Sequence, residues 1–118
     1  MAREKATGGQ IVNLTEDRLP FAKVPAVVLR DGDLSAGARL LYGALMWLSW
    51  RQAWRDEPGY QGQEAVGEEF GLSPRSVSRY MGELIEAGYI AFDQVGQGEP
   101  ANVTLLPLPE PDGEPGDE

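Results

Sequence analysis

Two arginines four residues apart, Arg75 and Arg79, stand in the run Gly71-Leu72-Ser73-Pro74-Arg75-Ser76-Val77-Ser78-Arg79-Tyr80. On a helix, residues four apart share a face, so both guanidinium groups would project together. A guanidinium is a rigid fork of donors that matches two acceptors at once. The O6 and N7 atoms of guanine offer such a pair on the major-groove edge of duplex DNA. Ser76 and Ser78 are short enough to let a helix seat deeply, and their hydroxyls can donate to phosphate or base. Ser73, at the start of the run, lies where a helix N-terminus favours a phosphate. Gln63 is a further candidate for a backbone contact. Tyr80 has two uses of equal weight: a phosphate contact through its hydroxyl, or packing at the edge of the core. The bland use of the arginines is a solvated face, with Arg79 paired to Glu83.

These residues need a platform. Gln63 to Phe70 reads as a helix with Ala65, Val66 and Phe70 inward and Glu64, Glu68 and Glu69 outward. Gly71 supplies the positive φ that ends it, and Leu72 fills the angle of the turn. Ser73 caps the next helix and Pro74 takes its first position, where a missing N–H costs nothing. That helix runs from Pro74 to about Ala87, with Val77, Met81, Leu84 and Ile85 as its inner stripe, and Gly88 stops it. Acids gather in its last turns, at Glu83 and Glu86. Tyr89–Val95 alternates as a strand, Gly96–Pro100 turns the chain, and Ala101–Leu106 returns it, giving a two-stranded ribbon after the helix.

Upstream, Leu34 to about Trp54 predicts a long helix capped by Ser35 and broken by Pro58-Gly59. Leu40, Leu41, Ala44, Leu45, Trp47 and Leu48 make it apolar over more than half its circumference, so it is buried on more than one side. Trp47, Trp50 and Trp54 mark the excess: either aromatic core and rim, or the contact surface of a homodimer. Phe21–Leu29 is apolar and β-branched, but Pro25 restricts it to an edge strand or an extended lead-in. Residues 1–19 lack periodicity and read as a flexible arm, with a short strand at Ile11–Leu14 as one option. Residues 107–118 hold four prolines, five acids and no cation, and read as a disordered acidic tail. The folded domain is expected over residues 20–106.

Composition removes whole classes of chemistry. The 118 residues include no cysteine and no histidine, which excludes disulfides, thiolate metal sites and histidine-based hydrolase triads. Gly96-Gln97-Gly98 is too short for a dinucleotide fingerprint, and Glu64, Glu68 and Glu69 lie on an exposed face. The expectation is therefore a non-enzymatic protein using no cofactor and no metal. Residues 1–10 are polar and the apolar stretch near 40–50 is short, so a soluble cytoplasmic protein is expected. The net charge of −9 opposes a nucleic-acid partner. Its distribution softens the objection: residues 1–30 carry five cations against three acids, and residues 107–118 hold five of the nineteen acids.

Four segments together carry a resemblance: Phe21–Pro25, Leu34–Tyr42, Gly71–Tyr80 and Glu83–Ile90. Their order resembles the winged helix-turn-helix superfamily, and within it the helix-turn-helix domains of bacterial, phage and plasmid replication-initiation proteins and small regulators. The likeness covers about residues 21–106. It implies a mainly α, α+β fold, with a three-helix core and a two- or three-stranded sheet. It also implies sequence-specific binding of double-stranded DNA with residues 74–87 in the major groove, in transcription regulation or in replication or maintenance of a plasmid or phage. The chain departs from that pattern in two places. Val95–Pro100 lacks the usual Lys or Arg, and glutamines stand where the second helix usually opens with Ser or Thr. The alternative function is a winged helix turned to protein–protein interaction.

Overall fold

The long helix begins where a serine can cap it and ends where the backbone turns left-handed. In the computed structural model, which describes residues 8–15, 20–93 and 102–108, α2 spans Ala36–Arg55. The Ser35 hydroxyl accepts the Ala38 N–H at 3.2 Å, which also reaches the Ser35 carbonyl at 3.1 Å, satisfying a first-turn donor that has no partner in the regular helix ladder. At the far end Asp56 adopts φ 54°, a conformation that short polar residues tolerate. The helix thus stops before Pro58-Gly59, the expected breaker.

Ahead of α2, the apolar stretch from Phe21 is extended only as far as Pro25. Residues Ala26–Leu29 then form one helical turn, α1. The Pro25 carbonyl accepts from both Val28 and Leu29 at 3.0 Å. An edge strand was one of two expectations here. The observed lead-in plus turn follows from proline's missing N–H and fixed φ, which suit a helix entry better than a ladder. Residues Gly8–Thr15 contain no strand, so the option at Ile11–Leu14 is not realised.

Downstream, α3 covers Gln63–Phe70 and α4 covers Pro74–Glu86. The turn between them is as expected: Gly71 has φ 75°, and Ser73 accepts the Ser76 N–H at 3.1 Å with Pro74 in the first turn. Gly67 is required for a different reason. A Cβ there would overlap the Leu72 carbonyl oxygen, so the turn can fold this closely on α3 only over a glycine. At the other end of α4, Gly88 (φ 84°) donates to Ile85 O and Tyr89 N–H donates to Leu84 O, both at 3.0 Å. This paired closure turns the chain sharply into the sheet.

Strands β1 (Ile90–Asp93) and β2 (Asn102–Leu105) pair antiparallel, with Ile90 opposite Leu105 and Phe92 opposite Val103. The connecting turn, residues 94–101, and most of the proline-rich tail lie outside the described residues, as do residues 1–7 and 16–19 of the arm. Among the described residues the architecture is thus four helices and one two-stranded sheet, the expected α+β winged arrangement with one extra helical turn.

The core is a single cluster in which α2, α4 and β1 meet. Leu41, Val77, Leu84 and Val28 are fully buried, with Tyr42 and Ile90 nearly so. Burying each of the large apolar side chains contributes about 1.5–3 kcal/mol. Tyr42 meets Tyr89 edge-on, ring centroids 6.3 Å apart. Two inward assignments need correction. Ile85 is 43% exposed, because the stripe is centred on Val77, Met81 and Leu84 and residue 85 falls on its rim. Ala65 is exposed, because α3 turns Val66, Gly67 and Phe70 inward. Among the described residues no helix is long and apolar enough to cross a membrane.

Candidate nucleic-acid interface

The first two turns of α4 hold the donors and the last two hold acids. Arg75, Ser78 and Arg79 are exposed, while Val77 between them is fully buried. The Ser73–Ser76 pair serves the helix start: besides the capping bond, their hydroxyls lie 3.0 Å apart. The structure therefore separates the serines expected to act together. Ser73 and Ser76 are tied to each other, and Ser78 lies on the open face with the arginines. Gln63 is the first residue of α3, half-buried, and no side chain caps that helix. This fits glutamines standing where a capping Ser or Thr is usual.

Tyr80 is half-buried against the core. Its ring lies on the backbone of α2 at Gly37, where a Cβ would overlap the Cζ end of the ring. Of the two uses weighed for Tyr80, the geometry supplies the packing directly. The Arg79 guanidinium lies over the same ring, 5.1 Å from its centroid, and its Nη2 approaches the Tyr80 hydroxyl at 3.4 Å. That is within the range at which a cation is attracted to an aromatic face.

Glu83 is not spent on Arg79, the pairing considered as the bland reading. Its Oε1 accepts the Ser35 N–H at 2.8 Å and its Oε2 accepts the Ser35 hydroxyl at 2.7 Å. These bonds, the backbone one foremost, hold the Glu83 carboxyl below its ordinary range, with Arg79 a smaller contributor. A carboxylate three residues into a helix commonly bonds its own N-cap. Here that position of α2 is Ala38, and the carboxylate comes from another helix, 48 residues on. The missing local partner of Ser35 was the one sequence signal for this contact.

Other acids are also placed. Glu69 takes two hydrogen bonds from Arg51, at 2.8 and 3.1 Å, which joins α3 to α2. Asp31 accepts the Tyr89 hydroxyl at 2.7 Å. That bond lowers the Asp31 carboxyl and pushes the Tyr89 phenol up to about 12. Asp31, Asp33, Glu83 and Glu86 line one depression beside the C-terminal end of α4, away from Arg75. Among the described residues no group of acids is arranged to hold a metal ion.

A second exposed surface lies on α2. Trp54 is 76% exposed, and Trp47 and Trp50 stack at 5.2 Å with Arg55 over Trp50 at 5.1 Å. Together with Pro20, Phe21 and Met46 they line an open apolar groove.

Set against known proteins, residues 32–90 match the family model described as a helix-turn-helix domain. The match spans Asp31's neighbour Gly32 through α2, α3 and α4 to the first residue of β1. Such a domain suggests DNA binding. No curated protein and no solved structure matches the chain.

Proposed function

The chain belongs to this helix-turn-helix domain family, and from that premise we propose that it binds double-stranded DNA sequence-specifically, with α4 in the major groove. The observation that carries the reading is the pair Arg75 and Arg79, exposed on one side of the first two turns while Val77, Met81 and Leu84 anchor the other. Ser78 lies beside them for a base or phosphate contact. Ser73, Ser76 and Gln63 lie at the starts of α4 and α3, where backbone N–H groups and the helix dipole favour phosphates. Tyr80 acts by backing Arg79. The role is that of a cytoplasmic transcription regulator, or of a replication or maintenance protein of a plasmid or phage; it needs no cofactor and no catalysis.

The acidic balance calls for more than one set of contacts, and a homodimer supplies them. On α2, Leu40, Trp50 and Trp54 are exposed and Trp47 is half-buried beside them, on the side away from Leu41, Leu45 and Leu48. Such an exposed aromatic row offers a seam that a second copy can cover. A symmetric pairing lets one copy of the seam meet its own image. Sedimentation should show a dimer for the native chain and a monomer for Trp54→Glu; a native monomer removes the pairing.

Each bidentate arginine–guanine contact discriminates by about 1–3 kcal/mol. The double variant Arg75→Ala, Arg79→Ala should therefore lose about 30-fold or more in affinity for duplexes selected from a random pool, with its fold intact. Wild-type protein that selects no sequence, or a double variant that binds as well, rejects the reading. The exposed tryptophans and the net charge of −9 favour a second reading, a winged helix serving protein–protein contacts. Under it, Trp54→Glu abolishes partner capture while the arginine variant is silent.

A further inference from the structure

We propose that Gly37 and Glu83 are positioning residues that together set the aim of Arg79; the inference rests on the DNA-reading role proposed above for α4. Gly37 is the second residue of α2, and glycine is a poor choice inside a helix. Its backbone gives no reason for it, since the positive-φ glycines among the described residues are Gly62, Gly71 and Gly88. What Gly37 supplies is room. A Cβ there would overlap Cζ, Cε2 and Oη of Tyr80, so the tyrosine ring lies against α2 only because the side chain is absent.

The second contact sits beside the first on both helices. Ser35 precedes Gly37 by two residues, and Glu83 follows Tyr80 by about one turn of α4. The Glu83 carboxylate bonds both donors of Ser35. Val77, Met81 and Leu84 hold the inner stripe of α4 in the core, and these two adjacent contacts fasten its flank to the start of α2. Arg79 then lies over the fixed ring of Tyr80, with its Nη2 3.4 Å from the hydroxyl. A recognition group must be held within roughly 0.5 Å of its productive position, by neighbours whose own conformations are locked. Gly37 and Glu83 lock Tyr80, and Tyr80 backs Arg79.

The test uses the full chain, the best duplex it selects from a random pool, and a scrambled duplex of the same composition. In the free protein, the Tyr80 ring current should displace the Arg79 side-chain proton resonances. Gly37→Ala should return them toward their ordinary positions while the helical amide pattern persists. The same substitution should weaken binding to the selected duplex about tenfold, the order of one bidentate contact. It should leave scrambled-duplex binding and the salt dependence of affinity unchanged, since no phosphate contact is lost. On an Arg79→Ala background it should cost nothing more. Glu83→Ala should act in the same direction, and Glu83→Gln, which can still bond both Ser35 groups, should restore most of the affinity. Should Gly37→Ala fail to fold, Glu83→Ala provides the same two readouts with the Tyr80 ring retained.

Unmoved Arg79 resonances, or an equal loss with and without Arg79, overturn the latch. Loss of selective binding in Arg79→Ala but not in Gly37→Ala overturns the latch alone. An Arg79→Ala variant that binds the selected duplex as the wild type does removes Arg79 from DNA reading, and the latch loses its purpose with it.

Discussion

The two ends of α2 are each fastened by a carboxylate from another helix, yet they are finished in opposite ways. At the N-terminal end Glu83 of α4 bonds Ser35, and Tyr80 rests on Gly37. Arg39 donates to the carbonyls of Asp31 and Leu34 at 2.8 and 2.9 Å. Most polar groups there are bonded within the chain, although the buried Arg39 Nε has no partner among the described residues, and the result is an α4 fastened to α2. At the C-terminal end Glu69 of α3 bonds Arg51, and beyond it the helix displays Trp50 and Trp54 to solvent. One end orients a helix; the other offers a surface. The difference also changes what the formal charge means. Glu69 is compensated by Arg51 and Glu83 is turned onto α2, so the face carrying Arg75 and Arg79 is less acidic than the count of nineteen acids suggests.

The largest expected effect falls at the ordered end. Arg39→Ala leaves the Leu34 carbonyl without its donor, while the Asp31 carbonyl keeps the Leu34 N–H, and an orphaned buried group costs about 1–3 kcal/mol. Denaturant unfolding should register a loss of that size. Hydrogen exchange should quicken first at Leu34 and the opening turn of α2, with Arg51 to Arg55 little changed. Equal quickening at both ends would show that the asymmetry described above is not energetic.

These details explain which parts of the molecule were legible from residues alone. The turn at Gly71-Leu72-Ser73-Pro74, the Ser35 cap, the stop at Gly88 and the paired strands are local devices. Each needs only a few neighbouring residues to specify it, so pattern and turn chemistry suffice. The contacts that position the candidate site are not local. Glu83 reaches a serine 48 residues away, and nothing near Tyr80 in sequence announces Gly37. The same holds for Arg39 and Arg51, whose partners are set by helix packing. Short-range errors had a different cause. Ile85 and Ala65 lie one residue off the true stripes, and in helices this short a rim position carries the same hydrophobicity as a buried one.

A smaller effect of the same contrast is expected in acid. Asp31 and Glu83 both lie at the ordered end. Hydrogen bonds from Tyr89 and from Ser35, respectively, hold their carboxyls below the ordinary values of 3.8 and 4.5. A lowered value in the folded state means that the unfolded chain binds protons more readily. The stability these groups contribute is therefore complete above the ordinary values and is lost as pH falls through and below them. Tyr89 has the opposite sign. Its phenol, raised from 10.0 to about 12 chiefly by Asp31, contributes stability that is lost as pH rises across that interval. Tyr89→Phe should shorten both limbs, leaving the alkaline part that Tyr42 and Tyr60, whose phenols burial also raises, contribute, as followed by unfolding midpoints across pH. An unchanged acid limb would show that the Tyr89 bond does not hold Asp31 down.

The smallest effect belongs to the open end. Arg51 and Glu69 form a bidentate pair, but both are partly exposed, at 19% and 39% of the side chain. Water and salt weaken such a pair, and its measured worth is about 0–1 kcal/mol. Arg51→Ala should therefore shift the unfolding midpoint only slightly, and added salt should shrink the difference further. If the tryptophan seam is a dimer contact, the same variant should matter more to assembly than to folding, because Arg51 lies between Trp50 and Trp54 in sequence and ties their turn to α3. Sedimentation of Arg51→Ala alongside its unfolding curve separates the two. A large loss of stability with unchanged assembly would mean that the C-terminal end of α2 is a structural clamp like the N-terminal one, and the contrast between the ends would collapse.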